Sequence, residues 1–303
     1  MLKKTSILSI TFFLALMLLL SCSSRDKIDY QNLAQYEHKA TKEIVKLVTD
    51  AVNLIETEGK QAFENFYKKD SKWFHDDTYI FVWGLDGMRY VYPRDRSGEG
   101  KNMLDLKDIN GKPIGKMFVE AAKSSNGHGW VFYEWTKPEY EKPIWKSTYI
   151  KKAITPDGEK YLVGCGKYNM PMEKIFVKKV VDDAAEFLKQ NGREKAFAEF
   201  KDKSGKFIFL DTYVFVKNMQ GMELVNPLFP ELEGKNISKL QDAAGKYFVQ
   251  EELEKLQNNS ACWNTYMWPK PGEDKPSQKI VYIKKVKMPS ETLVVGSGYY
   301  PEQ

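Results

Sequence analysis

The chain has 303 residues, 42% of them hydrophobic and 14% aromatic, and a formal net charge of +5. That balance fits globular packing. Charges of both signs are mixed along the sequence, and no basic stripe interleaved with aromatic residues marks a nucleic-acid surface, so no nucleic-acid partner is expected.

Lys3 and Lys4 precede an apolar run from Ile7 to Leu20, which ends at Ser21-Cys22-Ser23-Ser24. A charged start, a short apolar core and a small residue before a cut are the parts of an export signal. The run is shorter than the roughly 18 to 20 residues that a membrane span requires, so residues 1–22 are expected to form a cleaved signal peptide. Leu19-Leu20-Ser21-Cys22 resembles the bacterial lipobox. The resemblance implies that Cys22 becomes the acylated N-terminus. Acyl chains such as palmitate would then hold the protein on the periplasmic or extracellular side of a bacterial membrane. About 280 residues remain, enough for two domains with their own cores. Cys165 and Cys262 occupy non-equivalent places in the chain, and two buried thiols are expected in preference to a disulfide.

From about residue 28 the same order of signals runs twice, displaced by roughly 133 residues. Each copy opens with a long amphipathic stretch, Leu33 to Glu56 and Pro171 to Gln190, that predicts a helix. Gly59-Lys60 and Gly192-Arg193 follow, each leading into a second short helical pattern. Asp77-Thr78-Tyr79-Ile80-Phe81-Val82 is matched by Asp211-Thr212-Tyr213-Val214-Phe215-Val216, a strand that turns at Gly87 or Gly221 and returns to Pro93 or Pro227. Gly100-Lys101-Asn102 and Gly234-Lys235-Asn236 begin loops, and short helices are predicted over Lys116–Lys123 and Phe248–Gln257. Trp130, Tyr133, Trp135 and Pro138 recur as Trp263, Tyr266, Trp268 and Pro271, and Lys146 and Tyr149 as Lys279 and Tyr282. The last strands read Val163-Gly164-Cys165-Gly166 and Val295-Gly296-Ser297-Gly298. Hairpin-linked strands after a helix imply an α+β unit, an antiparallel sheet of about five strands with helices on one face. The units are expected over 28–170 and 171–303, with the boundary near Met170.

This ordered series, present twice and covering nearly the whole exported chain, resembles the Cache domain, specifically two single Cache modules of the second type in tandem. The resemblance implies a PAS-like extracytoplasmic sensor that holds a small molecule, often a carboxylate or amino acid, against the sheet of one module. Because no transmembrane helix, coiled signalling segment or kinase domain follows the last strand in this sequence, any output is expected to need a separate protein.

Within residues 79–83, alternate side chains face opposite ways, so Tyr79, Phe81 and Trp83 share one side and Ile80 and Val82 the other. The aromatic side, with Tyr90 and Tyr92 from the next strand, is the expected pocket wall, and Trp130, Tyr133 and Tyr149 are added from the later strands. A buried carboxylate needs cations or donors. Lys146, Arg94 and Arg89 are the candidates, Lys146 first because the family pattern has lysine there. The copies diverge at this wall: Arg89, Tyr90 and Tyr92 become Glu223, Leu224 and Asn226, so one copy is expected to bind and the other to support. The family often has histidine before the strand-ending proline, and neither copy does, which leaves the particular ligand open.

His38, His75 and His128 lack metal-ligand spacing, and no nucleophile elbow, phosphate loop or dinucleotide motif is present. No metal, cofactor or catalytic activity is expected. Two readings remain: a lipid-anchored small-molecule sensor, and a ligand-free structural lipoprotein that uses the same fold as a scaffold.

Overall fold

The structure, a computed structural model, describes residues 33–137 and 139–301. The export signal, Cys22 and Pro138 lie outside the described residues.

Two modules with the same layout follow one another. In the first, α1 (Lys39–Glu58) precedes the short strands β1 (Phe74–His75) and β2 (Thr78–Tyr79) and the sheet strands β3 (Phe81–Gly84) and β4 (Arg89–Val91). Then come α2 (Ile114–Lys123), β5 (His128–Trp135), β6 (Ile144–Ile154) and β7 (Lys160–Tyr168). In the second, α3 (Lys174–Lys201) leads to β8 (Ile208–Phe209), β9 (Thr212–Tyr213), β10 (Phe215–Asn218) and β11 (Glu223–Val225). The module closes with α4 (Phe248–Asn258), β12 (Ala261–Pro269), β13 (Pro276–Lys287) and β14 (Thr292–Tyr299). Both main sheets are five-stranded and antiparallel, in the orders β4-β3-β7-β6-β5 and β11-β10-β14-β13-β12.

α1 buries Ile44, Val45, Val48, Val52 and Ile55, a stripe at helical spacing, against Ile80, Val82, Tyr149, Val163 and Cys165 on one face of its sheet. α3 does the same in the second module with Val177, Val180, Val181, Ala184 and Leu188. The expectation of helices on one face is corrected here. α2 and α4 cover the opposite faces, packing Ile114 and Phe118, or Phe248 and Val249, against the aromatic side of each sheet. The hairpin turns fall at Gly87 and Gly221, whose φ values of 88° and 81° are open to glycine at little steric cost.

Both long helices start later than their apolar pattern suggests. Before α1, Tyr36 turns inward to accept a hydrogen bond from Trp130 Nε1 (3.1 Å), and His38 is extended. The buried Glu173, itself extended ahead of α3, accepts from the backbone N–H groups of Glu37 (2.7 Å) and His38 (3.0 Å). A carboxylate from the start of the second module thus satisfies the free donors ahead of the first module's helix. After α1, the residues Gly59–Tyr67 wind as a 3-10 segment, whereas in the second copy α3 runs through a break at Gly192. Among the described residues Cys165 and Cys262 are free; Cys165 is buried as expected, but Cys262 is only half-buried.

The modules also meet at β5. Phe132 stacks on Phe209 at 4.3 Å between ring centroids, and the buried Lys112 ammonium donates to the Ile208 carbonyl at 2.9 Å. A wider cleft of about 440 Å³ beside this contact is lined by Trp130, Phe132, Phe176, Phe207 and Phe209.

Removing the Glu173 carboxylate leaves two backbone donors without their partner. Glu173→Ala is expected to lower the unfolding free energy by about 1–3 kcal/mol in urea titrations, and Glu173→Gln by less, since its amide oxygen still accepts one bond.

Candidate ligand site

The strand alternation sorts the site residues. On β6, Lys146, Thr148 and Ile150 point to the α2 side, while Tyr149 between them points to α1. On β5, Tyr133 and Val131 face α2, and Trp130 and Phe132 face the other way. Of the nine expected wall residues, Tyr79, Phe81, Tyr92, Tyr133 and Lys146 surround one chamber of about 40 Å³, together with Trp83, Arg89, Leu106, Ile114, Phe118 and Trp135. Arg94 stands just outside. It borders a vestibule of about 380 Å³ that shares Tyr79, Tyr92 and Trp135 with the chamber and is ringed by Asp77, Lys137, Tyr140 and Tyr168.

Tyr90, Trp130 and Tyr149 are not brought to this wall, which corrects the expectation that all nine share it. Period two puts Trp130 and Tyr149 on the α1 side, where their rings pack at 5.1 Å. Tyr90 is turned the same way by the register shift between β3 and β4, so that it packs on Phe63 and Tyr161 and is 39% exposed.

The glycines of the Val163-Gly164-Cys165-Gly166 motif have a spatial reason. A Cβ on Gly164 would overlap the Phe81 ring, and one on Gly166 would stand 2.7 Å from Lys146 Cε. Their absence lets Phe81 lie flat and lets the lysine chain cross β7 to reach β2. There Lys146 Nζ donates to Tyr79 Oη at 3.2 Å and lies 4.6 Å from the centre of the Tyr168 ring. Lys146 is 3% exposed, and burial holds its pKa below that of a free lysine. Arg89 stacks its guanidinium on Tyr92 at 4.3 Å. The Tyr133 hydroxyl is paired with Thr148 Oγ1 at 2.9 Å. Trp83 Nε1 and Arg89 Nε are buried without a hydrogen-bond acceptor. Among the described residues no Asp or Glu pairs with Lys146 or Arg89. The chamber therefore holds two cations and two unmet donors, and its walls supply no negative charge.

Arg89 is legible in the sequence as a candidate cation and Trp83 as part of the aromatic side, whereas Phe118, Ile114 and Leu106 are not. The aromatic run on β3 signalled the wall. Nothing local signals which loop and helix roof it.

The second module builds the same enclosure from Tyr213, Phe215, Lys217, Glu223, Asn226, Phe248, Tyr266 and Trp268 around a space of about 20 Å³. Lys279 Nζ donates to Tyr213 Oη at 2.9 Å, repeating the Lys146 contact. The charges differ. Lys217 Nζ pairs with Glu252 Oε2 at 2.8 Å, with both side chains buried, and Asn226 Nδ2 donates to Glu223 Oε1 at 2.9 Å. Burial raises the Glu223 carboxyl to about 7 and lowers the Lys279 ammonium to about 7.

A buried ammonium without a carboxylate is a cost to the folded state. Lys146→Met is expected to unfold at a higher denaturant concentration than the parent at neutral pH. The folded pKa of Lys146 is depressed, so the penalty applies in full below that value and vanishes above the unfolded value of about 10.4. The gap between variant and parent should therefore shrink as pH rises across that window. A gap that is flat with pH would show that the lysine is not the source.

A Cache domain family model matches residues 25–209 and 177–303 of the chain. The sensor histidine kinase MctS of Rhizobium johnstonii is 30% identical over 108 residues, which cover 36% of this chain and 22% of that protein. The methyl-accepting chemotaxis protein McpP of Pseudomonas putida is 28% identical over 90 residues, 30% of this chain and 16% of that protein. The matched region thus spans less than a quarter of either relative. A solved structure of a Cache chemosensory domain described as recognising carboxylic acids is 25% identical, with a TM-score of 0.37, over 42% of this chain and 92% of that one. With the family model matching twice along its length, the chain belongs to the Cache domain family, as two PAS-like modules in tandem.

Proposed function

We propose that this protein is an extracytoplasmic sensor, lipid-anchored through Cys22, whose first module, ending near Met170, binds a small organic anion such as a short carboxylate. One observation carries the reading: a chamber with Lys146, Arg89 and an unmet Trp83 donor, and no carboxylate of its own. A ligand carboxylate would satisfy these groups where water alone leaves the two cations uncompensated. Its apolar tail would lie among Phe81, Phe118 and Tyr133, and a longer one would reach the vestibule between Tyr79 and Tyr92. The protein binds without turnover and passes the signal to a separate protein. The ligand-free scaffold is the second reading; the small volume of the chamber, about 40 Å³, favours it.

Thermal-shift titration with acetate, propionate, succinate, alanine and glutamate separates the two. The sensor reading expects at least one carboxylate to stabilise the protein, by about 2.7 kcal/mol at a hundredfold excess over Kd. Lys146→Met should weaken that binding tenfold or more. Because a bound anion favours the charged lysine, affinity should fall as pH is raised past the depressed pKa of Lys146. A panel without a stabilising compound leaves the scaffold reading.

For the anchor, Cys22→Ser should shift the protein from the membrane to the soluble fraction and abolish labelling by radioactive palmitate. Unchanged fractionation would refute acylation at this cysteine.

A further inference from the structure

At three corresponding places around the enclosure the second module exchanges the chemistry of the first. Trp83 and Arg89 are cross-strand partners on β3 and β4, and Lys217 and Glu223 are the matching partners on β10 and β11. Phe118 is the fifth residue of α2, and Glu252 is the fifth residue of α4. The unmet polar atoms invert accordingly. The first module leaves donors without acceptors, Trp83 Nε1 and Arg89 Nε, while the second leaves acceptors without donors, Glu223 Oε2 and Glu252 Oε1. The free space falls from about 40 Å³ to about 20 Å³.

We infer that the second module carries its anion as part of its own chain. The Glu252 carboxylate, seated on Lys217, stands at the place of the Phe118 ring that walls the first module's chamber, and Glu223 neutralises the remaining lysine charge. Lys217, Glu223, Glu252 and Lys279 are each 1% exposed or less, and two cations beside two carboxylates leave the enclosure neutral without a ligand. A buried ion pair adds little to stability compared with apolar residues of the same volume, so packing alone does not call for these four charges. They make the second module a permanently filled copy, closed to the ligand class of the first. Naming that class rests on the function proposed above; the filling of the second module by its own carboxylate does not.

Chemical rescue in the full chain tests this. Glu252→Ala leaves Lys217 buried and unpaired beside a space the size of a carboxylate, and its Tm is expected to fall by about 10 °C. Sodium acetate or formate should then raise the Tm more in the variant than in the parent, compared with sodium chloride at equal ionic strength. Glu252→Gln, whose amide still fills the space, should show no such excess. Should Glu252→Ala yield no folded protein, Lys217→Met/Glu252→Ala should restore folding and remove any acetate response. The inference is overturned by a Glu252→Ala protein as stable as the parent, by acetate acting no differently from chloride on that variant, or by a double variant as unstable as the single one. A first module that binds no carboxylate would appear as an absent acetate shift in the parent, which leaves the excess in the variant readable.

Discussion

The site depends on one contact, a lysine ammonium lying along the inner face of a sheet and donating to a tyrosine hydroxyl. Lys146 and Tyr79 make it in the first module, Lys279 and Tyr213 in the second. It requires a neighbouring strand without side chains at the crossing point, which Gly166 and Gly298 provide. It also requires that the lysine stay dry, because its hydrogen bond is to a neutral partner and water would compete for the charge. The aromatic walls and the helix over them meet that demand. What remains is an ammonium short of negative charge, and each module answers this differently.

In the second module the answer is internal. A carboxylate from β11 lines the enclosure and one from α4 pairs with its Lys217, and the ionisable groups there pair or shift toward neutrality. In the first, the same positions hold Arg89 and Phe118, and the deficit persists. Duplicated folds thus need not duplicate a site: exchanges at the places of Trp83, Arg89, Tyr92 and Phe118 separate a chamber that lacks an anion from one that contains it.

The chamber and the junction between modules share elements. β5 sends Tyr133 into the chamber and Phe132 onto Phe209 of the next module. The segment entering α2 is pinned by Asp108, which accepts from the backbone of Asn110, Lys112 and Glu134. From that segment Lys112 reaches Ile208, while Ile114 and Phe118, a few residues on, roof the chamber. In the second copy the corresponding Lys246 turns back onto Asn264 and Thr265 of its own module.

The sequence by itself determined the duplication, the antiparallel sheets, the long helices, and the split of residues 79–83 into an aliphatic and an aromatic side. These follow from local periodicity, which a single chain displays without reference to its neighbours. It also marked Lys146 and the paired glycines, although their mutual dependence is a contact across two strands. Tertiary structure alone decided the rest. Whether Tyr90 or Tyr92 faces the chamber turns on one residue of register at a bulge, and Trp130 and Tyr133, an odd spacing apart, take opposite faces of β5. That Phe118 and Glu252 occupy equivalent places opposite the sheet depends on how a distant helix docks, and no local pattern encodes the residues a helix will meet.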